Sequence, residues 1–425
     1  MTNLSDLSTP CFVFDDKQLR DNFLDFIDAL KTRWSNKSVV AYSVKTNPLA
    51  WILETAHATG CWAEVVSDEE YDWARTCGFT PRQIVFNGPI KGKDHFFAAL
   101  VEGSVVNIDS ERELAWLEEY ARTDNPPARV GIRVNIDLES FCPGETVTGA
   151  TGGRFGFCYE NGEFDRVLFR VQALGFPVQL AGLHLHVTTR SRSSEVYRVL
   201  AAHAARIVGD NALTLAYIDI GGGFFGGGPA NVGAYERYVE AIAEELVEVC
   251  DPQTTALIVE PGGAVVCTPG IYVGRVLDVK DTTVDRFVVT ELSRINIDHE
   301  MKKDSYVYTL LSSEGVSLSS SAGGAAEASA DDIPDFSAIR PSQDRQVLCG
   351  YTCMESDRLC VLHDEAQLQV GDIVVIHHAG AYSMSFTPDF FIERLPVVYV
   401  KETSGCYREV RSQRRSDLFD GGAAV

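Results

Sequence analysis

Residues 38–45, SVVAYSVK, form a short apolar run, and an amphipathic stretch with apolar residues at three- and four-residue spacing comes after it. This succession recurs along the chain as far as residue 263. The eight β-type runs are SVVAYSVK (38–45), WAEVVS (62–67), QIVFNG (83–88), SVVNID (104–109), ARVGIRVN (128–135), VQLAGLHLHV (178–187), LAYIDIGGG (215–223) and ALIVEPGG (256–263). Eight β/α units in such a segment predict a TIM-type (β/α)8 barrel, which typically takes about 250 residues. A doubly wound open sheet is the structural alternative.

Polar and glycine residues stand at the carboxyl ends of several of these runs. A single residue of this kind would most simply be a solvated loop residue. Five strands that deliver such groups at the same end favour a barrel with its active-site mouth there. The residues concerned are Lys45, Glu64, His184, His186, Gly221–Gly223 and Glu260.

After residue 270 the pattern changes to β-type runs without helical stretches between them, which predicts a separate antiparallel β domain. The strand-like start of the chain, TPCFVFDD (9–16), is expected to complete the sheet of that domain. We therefore expect a barrel over 37–270 and a β domain built from 1–36 and 271–425. The Ser-, Ala- and Gly-rich stretch at 312–332 cannot bury a core and is expected to be a mobile surface insertion.

Composition excludes several classes of protein. The formal net charge of −23 argues against a large nucleic-acid interface, because an acidic surface repels phosphate backbones. No run approaches the length of about 20 apolar residues that crosses a bilayer, and the N-terminus lacks a secretory signal pattern. The 11 cysteines are scattered, without zinc-ligand spacing, which predicts a reducing, cytoplasmic setting and no metal site.

Eight short motifs resemble, in the same order, those of the fold-type III pyridoxal-phosphate decarboxylases. That group includes the diaminopimelate, ornithine and arginine decarboxylases and shares its barrel with alanine racemase. The motifs are TPCFVFDD (9–16), AYSVKTNP (41–48), GRFGF (153–157), GLHLHV (182–187), DIGGGF (219–224), VEPGG (259–263), CGYTCMESD (349–357) and GDIVVIHHAGAYSMS (371–385). The resemblance implies a homodimeric amino-acid decarboxylase that uses pyridoxal 5'-phosphate.

The resemblance also implies roles for barrel residues. Lys45 matches the lysine that carries the cofactor, and such a lysine needs an amine that is neutral part of the time. Glu260 matches the acid that keeps the pyridine ring protonated, His186 the histidine that stacks on the ring, and Glu64 an acid that is usually Asp. His184 is as plausibly a core histidine as a site residue. The expected phosphate-binding residues are Gly221, Gly222, Gly223, Gly262, Gly263 and Thr189.

In the β domain, Cys353 matches the cysteine that returns a proton to Cα, and in the family it comes from the partner subunit. Taken alone, it would be interpreted as a buried structural thiol. Tyr382 matches a tyrosine near the cofactor phosphate. Met354 and Glu355 are expected to face the substrate, since the family members that act on basic amino acids have an acid directly after this cysteine.

These departures bear on the substrate. Met354 replaces the acid that would bind a distal ammonium group, and Gly263 replaces the arginine of EPGR. Lys302 or Lys303 is a candidate to stand in for an arginine. We therefore expect an amino acid or amino-acid conjugate from a specialised or diaminopimelate-like pathway, and not ornithine or lysine. The alternatives are an amino-acid racemase and a non-catalytic pyridoxal-phosphate-binding protein.

Overall fold

The computed structural model describes residues 3–298, 300–303, 305–318, 340–387 and 394–415. The insertion predicted at 312–332 therefore lies mostly outside the described residues. The chain divides into two compact units, one formed by 20–265 and the other by 1–19 together with 266–425. Among the described residues, no helix combines the length and the apolar character needed to cross a bilayer.

Helices alternate with short strands up to residue 266, and strands dominate after it. The α-helices of the described residues are α1 (Asp16–Arg33), α2 (Ala50–Thr59), α3 (Asp68–Thr76), α4 (Lys93–Glu102), α5 (Glu111–Arg122), α6 (Leu138–Phe141), α7 (Glu163–Leu174), α8 (Ser194–Asp210), α9 (Ala234–Leu246) and α10 (Gly263–Val266). The strands of the first unit are β2 (Val39–Ser43), β3 (Trp62–Val65), β4 (Ile84–Phe86), β5 (Val105–Ile108), β6 (Ala128–Asn135), β7 (Phe157–Cys158), β8 (Val178–Leu185), β9 (Tyr217–Asp219) and β10 (Ala256–Val259).

The strands of the second unit begin with β1, near the N-terminus. They are β1 (Cys11–Asp15), β11 (Gly270–Asp281), β12 (Arg286–Thr290), β13 (Tyr308–Leu311), β14 (Ser342–Cys349), β15 (Arg358–Ala366), β16 (Ile373–Ile376), β17 (Arg394–Leu395), β18 (Val397–Lys401), β19 (Tyr407–Arg411) and β20 (Arg414–Arg415).

The first unit is a closed parallel barrel, as predicted, and not an open sheet. Its strands follow the order β2-β3-β4-β5-β6-β8-β9-β10, and β10 pairs in parallel with β2 to close the ring. β7 adds a short parallel pairing to the end of β6. The strands are apolar over nearly their whole length because the barrel interior buries one face and the helices bury the other.

Glycines make room for a tyrosine inside the barrel. Tyr217 of β9 is 6% exposed. A Cβ atom on Gly182 of β8 would lie 2.2 Å from the Tyr217 ring, and one on Gly131 of β6 would lie 2.2 Å from its hydroxyl. Both strands therefore need glycine where the large ring fills the interior.

The observed boundary between the two units near the N-terminus lies within helix α1, earlier in the chain than the predicted boundary. The predicted boundaries were 36/37 and 270/271, whereas the compact units divide at 19/20 and 265/266. Phe23 contacts Tyr42 edge-on at 5.6 Å, and Phe26 stacks on Tyr235 at 4.2 Å between ring centroids. This apolar face of α1 packs within the barrel unit, whereas the sequence prediction assigned residues 1–36, and so the whole helix, to the β domain.

The second unit contains a sheet of mixed direction that the N-terminal strand completes, as predicted. Its order is β15-β14-β12-β11-β1-β18-β19, with β16 paired to β11 and β13. Most pairs are antiparallel, but β1 pairs with β18 and β12 pairs with β14 in parallel. The sheet is therefore less uniformly antiparallel than the run of strands in the sequence predicted.

Candidate active site

Lys45 lies directly after β2, in a 3-10 turn formed by Val44–Thr46. Its Nζ lies 2.7 Å from Oε2 of Glu64, on β3, and donates to Oγ of Ser43 at 2.8 Å. Ser43 donates to the same Glu64 oxygen at 2.6 Å. The Lys45 side chain is 42% exposed and that of Glu64 is 2% exposed. A ligand can thus approach the amine while its partner acid stays shielded from water.

The environment of Glu64 favours its carboxylate form. Burial alone would raise the pKa of Glu64, but the charge of Lys45 and hydrogen bonds from Lys45, Ser43 and Asn87 outweigh burial and lower it. Because Oε2 lies within hydrogen-bond distance of Nζ, this carboxylate can accept a proton from the Lys45 amine and return it.

A second group of buried carboxyls lies at the ends of β9 and β10. Asp219 ends β9, Glu260 follows β10, and His184 projects from β8 beside them. One oxygen or ring nitrogen from each of these residues lies within 4.8 Å of the others. His184 Nε2 is 3.6 Å from Glu260 Oε2, and burial lowers the pKa of His184 well below its usual value. The imidazole beside the two acids is therefore neutral.

Two asparagine amides connect the carboxyl groups. Asn87 donates through Nδ2 to Glu260 Oε1 and, at 3.3 Å, to Glu64 Oε1. Asn107 donates through Nδ2 to Asn87 Oδ1 at 2.9 Å and to Asp219 Oδ2 at 3.3 Å. Each acid thereby has a fixed orientation, which buried carboxyl groups require.

The environment of the Asp219–Glu260 pair favours the protonated form of both carboxyl groups. Burial raises the pKa of Asp219 to about 7. Burial also raises the pKa of Glu260 well above its usual value, and the charges of Asp219 and Glu64 add to that effect. A proton held in this cluster can be shared with a basic ring nitrogen placed against Glu260.

A glycine loop follows β9 and meets His186. Gly222 N–H donates to His186 Nδ1 at 3.2 Å, and burial lowers the pKa of His186 to about 3. His186 is thus a neutral ring that accepts at Nδ1. Gly221 has a φ of +69°, and a Cβ on Gly222 would lie 2.3 Å from the carbonyl oxygen of Glu260. The loop requires glycine at both positions.

The next part of this loop presents a row of backbone donors. Among the described residues, no acceptor is found for the N–H groups of Gly223, Phe224, Gly226 and Gly227. The loop is held in place from its other side, since Tyr197 OH donates to Gly222 O at 3.1 Å. A series of N–H groups without protein acceptors on a glycine loop can bind an anion.

Three other predicted phosphate ligands lie at different points of the barrel mouth. Thr189 follows β8, is 7% exposed, and forms a bridge with Thr146. Gly262 lies after β10, where a Cβ would be 2.0 Å from Thr46 Oγ1, and Gly263 begins α10. Their role in binding the cofactor phosphate stays a prediction.

The residues of the barrel fit the cofactor that the sequence resemblance implies. The glycine loop has free donors for a phosphate, and the Glu260 carboxyl can pair with a pyridine nitrogen. The flat, neutral His186 ring can cover a planar ligand, and the Lys45 amine can bind its aldehyde carbon. The four features share one end of the barrel because each comes at the carboxyl end of a parallel strand.

The other predicted site residues belong to the second unit. Cys353 is exposed, which contradicts the interpretation of a buried thiol. Met354 is half-buried, and Glu355 has a side chain 94% exposed that pairs with Arg358 at 3.1 Å. Tyr382 is 41% exposed and has a φ of +51°.

The lysines proposed to replace an arginine also lie in the second unit. Lys302 is exposed and pairs with Glu300 at 2.6 Å. Lys303 has its ammonium group 5.6 Å from the centroid of the Tyr306 ring. The role of either lysine in place of an arginine stays a prediction.

Sequence reasoning missed Asn87, Asn107, Asp219 and the buried pair of Arg133 with Asp109, whose charged atoms are 2.9 Å apart. All of them stand within or directly after an apolar β-type run, and this polar interruption was the available signal. These residues connect strands to one another, since each contacts a side chain from a neighbouring strand. Such contacts depend on strand order and cannot be derived from one run alone.

The part of the chain that contains these barrel residues matches a known protein family. The family profile described as "Pyridoxal-dependent decarboxylase, pyridoxal binding domain" matches residues 17–267, which is more than half of the chain.

Similar proteins cover nearly all of the chain. The probable chloroplastic diaminopimelate decarboxylase of Oryza sativa is 25% identical over 97% of this chain and 78% of its own length. The L-glutamyl-(BtrI acyl-carrier protein) decarboxylase of Niallia circulans is 25% identical over 96% and 92%. A crystal structure of diaminopimelate decarboxylase from Methanocaldococcus jannaschii superposes with a TM-score of 0.81, at 22% identity over 99% of this chain and 93% of that one.

Proposed function

The chain belongs to the pyridoxal-dependent decarboxylases, and on that premise we propose that its substrate is an amino-acid unit whose distal end carries no free ammonium group. The protein is a pyridoxal-phosphate-dependent carboxy-lyase that acts on an amino acid. What the substrate is, and in which pathway it stands, is the proposed part. We favour a conjugated amino acid in a specialised pathway.

The barrel residues supply the acid–base steps of the reaction. When bound, pyridoxal phosphate would supply an electron sink for the pair that remains at Cα when the carboxylate leaves. Glu64 Oε2 moves a proton to and from Lys45 Nζ, and Glu260 supports a proton on the ring nitrogen. His186 presents a flat, uncharged ring, so it excludes water from a planar ligand without adding charge. We propose that Cys353 Sγ then returns a proton to Cα.

The substrate proposal rests on the acids of the segment 349–358. Each of them already has a hydrogen-bond or ion-pair partner within the protein. Glu355 pairs with Arg358. Asp357 accepts from Ser293 Oγ, Arg294 N and Thr352 Oγ1 at 2.6–2.9 Å. Met354 is apolar. An ammonium group held against Met354 would have no acidic partner from this segment, which disfavours a basic substrate.

Two kinds of similar protein indicate the range of candidate substrates. The Niallia circulans relative is, by its name, a decarboxylase of a glutamyl group on an acyl-carrier protein. Other relatives are diaminopimelate decarboxylases. A glutamyl conjugate lacks a distal ammonium group, whereas diaminopimelate has one, and the environment of Met354 supports the first.

A panel assay of CO2 release tests the proposal. The panel holds lysine, ornithine, diaminopimelate, glutamate and a glutamyl thioester, and products are also analysed on a chiral phase to detect racemisation. We expect kcat/KM for the thioester to exceed that for lysine and ornithine by about 100-fold or more. Faster release from a free basic amino acid would contradict the proposal, as would racemisation without CO2.

Variants at Met354 make the test specific to this position. Met354→Asp restores an acid and should raise kcat/KM for a basic amino acid relative to the thioester. Met354→Leu keeps the apolar volume and serves as the matched control, which should leave the ratio unchanged. An unchanged ratio in Met354→Asp would show that the position does not face the distal end of the substrate.

We also propose that the enzyme works as a cytoplasmic homodimer with shared sites. Cys353 and Tyr382, which the sequence assigns to the site, are exposed on the second unit and so are available to a site on another subunit. All 11 cysteines are free thiols, which supports a reducing compartment.

A further inference from the structure

The glycine loop has backbone donors for an anion but contributes no cation of its own. N–H groups alone leave much of the charge of a phosphate dianion unbalanced, and sites for phosphate commonly add an arginine. Gly263, at the start of α10, has no side chain to serve this purpose. The cation must therefore come from another segment near the loop.

Arg192 stands beside the glycine loop, in the connection between β8 and α8. Its carbonyl oxygen accepts a hydrogen bond from Tyr238 OH. The same hydroxyl accepts from the N–H of Phe225 in the glycine loop at 3.3 Å. One tyrosine therefore fixes the backbone of residue 192 against the loop. Arg192 has a φ of +54°, a conformation that a bulky residue adopts at a cost in stability.

The charge of Arg192 influences both tyrosines that hold the loop. Burial raises the pKa of both Tyr197 and Tyr238, and the Arg192 guanidinium opposes that rise in each case. Tyr197 OH donates to Gly222 O, and a Cβ on Gly223 would lie 3.4 Å from that hydroxyl. The charge of Arg192 thus acts on both tyrosine hydroxyls that contact the glycine loop.

The other arginines of this region are already engaged. Arg190 donates through Nε to Thr146 O at 3.2 Å, and Arg237 contacts Val232 O at 3.5 Å. Arg198 pairs with Glu244 at 2.6 Å. The guanidinium of Arg192 is exposed and, within the part of the chain that the structure describes, no hydrogen bond or ion pair of it is found.

We propose that Arg192 binds the phosphate of pyridoxal phosphate on the glycine loop 221–227 and supplies the positive charge that Gly263 cannot. The strained backbone at residue 192 is then the cost of directing this side chain at the loop. The role is one of cofactor binding, so it is independent of which amino acid the enzyme decarboxylates.

Binding of two forms of the cofactor tests the role directly. The full-length protein is freed of cofactor and titrated by absorbance and fluorescence with pyridoxal phosphate and, separately, with pyridoxal, which lacks the phosphate. Arg192→Gln should weaken the affinity for pyridoxal phosphate about tenfold, or ~1.4 kcal/mol, and leave that for pyridoxal unchanged. Arg192→Lys, which keeps the charge, should recover most of the loss.

Arg206→Gln is the matched control, because Arg206 is an exposed arginine near the far end of α8. It should alter neither affinity. The proposal is overturned if Arg192→Gln leaves the affinity for pyridoxal phosphate unchanged, or if it weakens both ligands equally. It is also overturned if Arg192→Lys binds no more tightly than Arg192→Gln.

Discussion

At the scale of single residues, the Asp219–Glu260 pair links burial to proton binding. Burial raises the pKa of Asp219 to about 7, with the Glu64 charge adding to the rise and that of Arg133 opposing it. A carboxyl group of the unfolded chain titrates near ~3.9. Between these values the folded protein binds a proton that the unfolded chain has lost, so stability falls as pH rises.

Replacement of Asp219 by Asn removes this proton uptake. We expect the free energy of unfolding of the cofactor-free protein to fall less steeply from about pH 4 to about pH 7 in the variant, with a difference in slope of up to ~1.4 kcal/mol per pH unit. Urea unfolding at several pH values measures both slopes. Equal slopes, or a steeper one in the variant, would show that Asp219 titrates in the folded protein as it does in the unfolded chain.

The sequence predicts the location of single residues where their chemistry and their position on a strand coincide. Lys45, Glu64 and Glu260 each stand at the carboxyl end of an apolar run, and the fold brings them to one end of the barrel. Their proposed roles stay predictions. Asn87 and Asp219 could not be assigned in the same way, since their meaning depends on the side chains that face them from neighbouring strands.

At the scale of elements, the glycine loop after β9 depends on the close approach of two backbones. Gly222→Ala places a Cβ 2.3 Å from the carbonyl oxygen of Glu260, so the loop must move away from the end of β10. We expect this variant to lose pyridoxal phosphate affinity at least tenfold and to be destabilised by about 1–3 kcal/mol. Cofactor titration and urea unfolding measure the two effects.

A glycine inside α8 provides the matched control for this substitution. A Cβ on Gly209 would meet only Val249 Cγ1, at 3.9 Å. Gly209→Ala should therefore stabilise the protein by about 0.5–1 kcal/mol, because alanine is the better helix former, and leave cofactor affinity unchanged. If both alanine variants bind the cofactor equally well, close packing of the loop is not what the site requires.

Helix α1 is an element that the sequence predicts but assigns to a different unit from the one in which it packs. A strand followed by a helix was evident at the N-terminus, but the sequence does not show which sheet the helix covers. The contacts of Phe23 and Phe26 with barrel aromatics decide it. Non-local packing of this kind leaves no periodic signal in the segment itself.

At the scale of the whole molecule, the alternation of runs and helices was sufficient to predict the barrel and the separate β domain. Regular β/α succession restricts the topology strongly, because crossovers between parallel strands have one hand. The parallel pairs β1–β18 and β12–β14 were not predictable, since strands without intervening helices carry no signal of direction.

Subunit mixing tests the proposed sharing of sites. Lys45→Ala and Cys353→Ala each remove one group from every site of their own homodimer. In a mixed dimer one of the two sites regains both groups, so an equimolar mixture should reach about a quarter of the wild-type activity after exchange. The two variants assayed separately are the controls. If the mixture is no more active than they are, the sites are not shared between subunits.

Lys45 is the residue proposed to carry the cofactor at the mouth of the barrel. The most direct measurement of this role is borohydride reduction of the holoenzyme, followed by digestion and peptide mass mapping, with Lys45→Ala as the control. The structure predicts a phosphopyridoxyl adduct on the peptide that contains Lys45 and none in the variant. An adduct on a different lysine, or an equal adduct in Lys45→Ala, would contradict the assignment of this site.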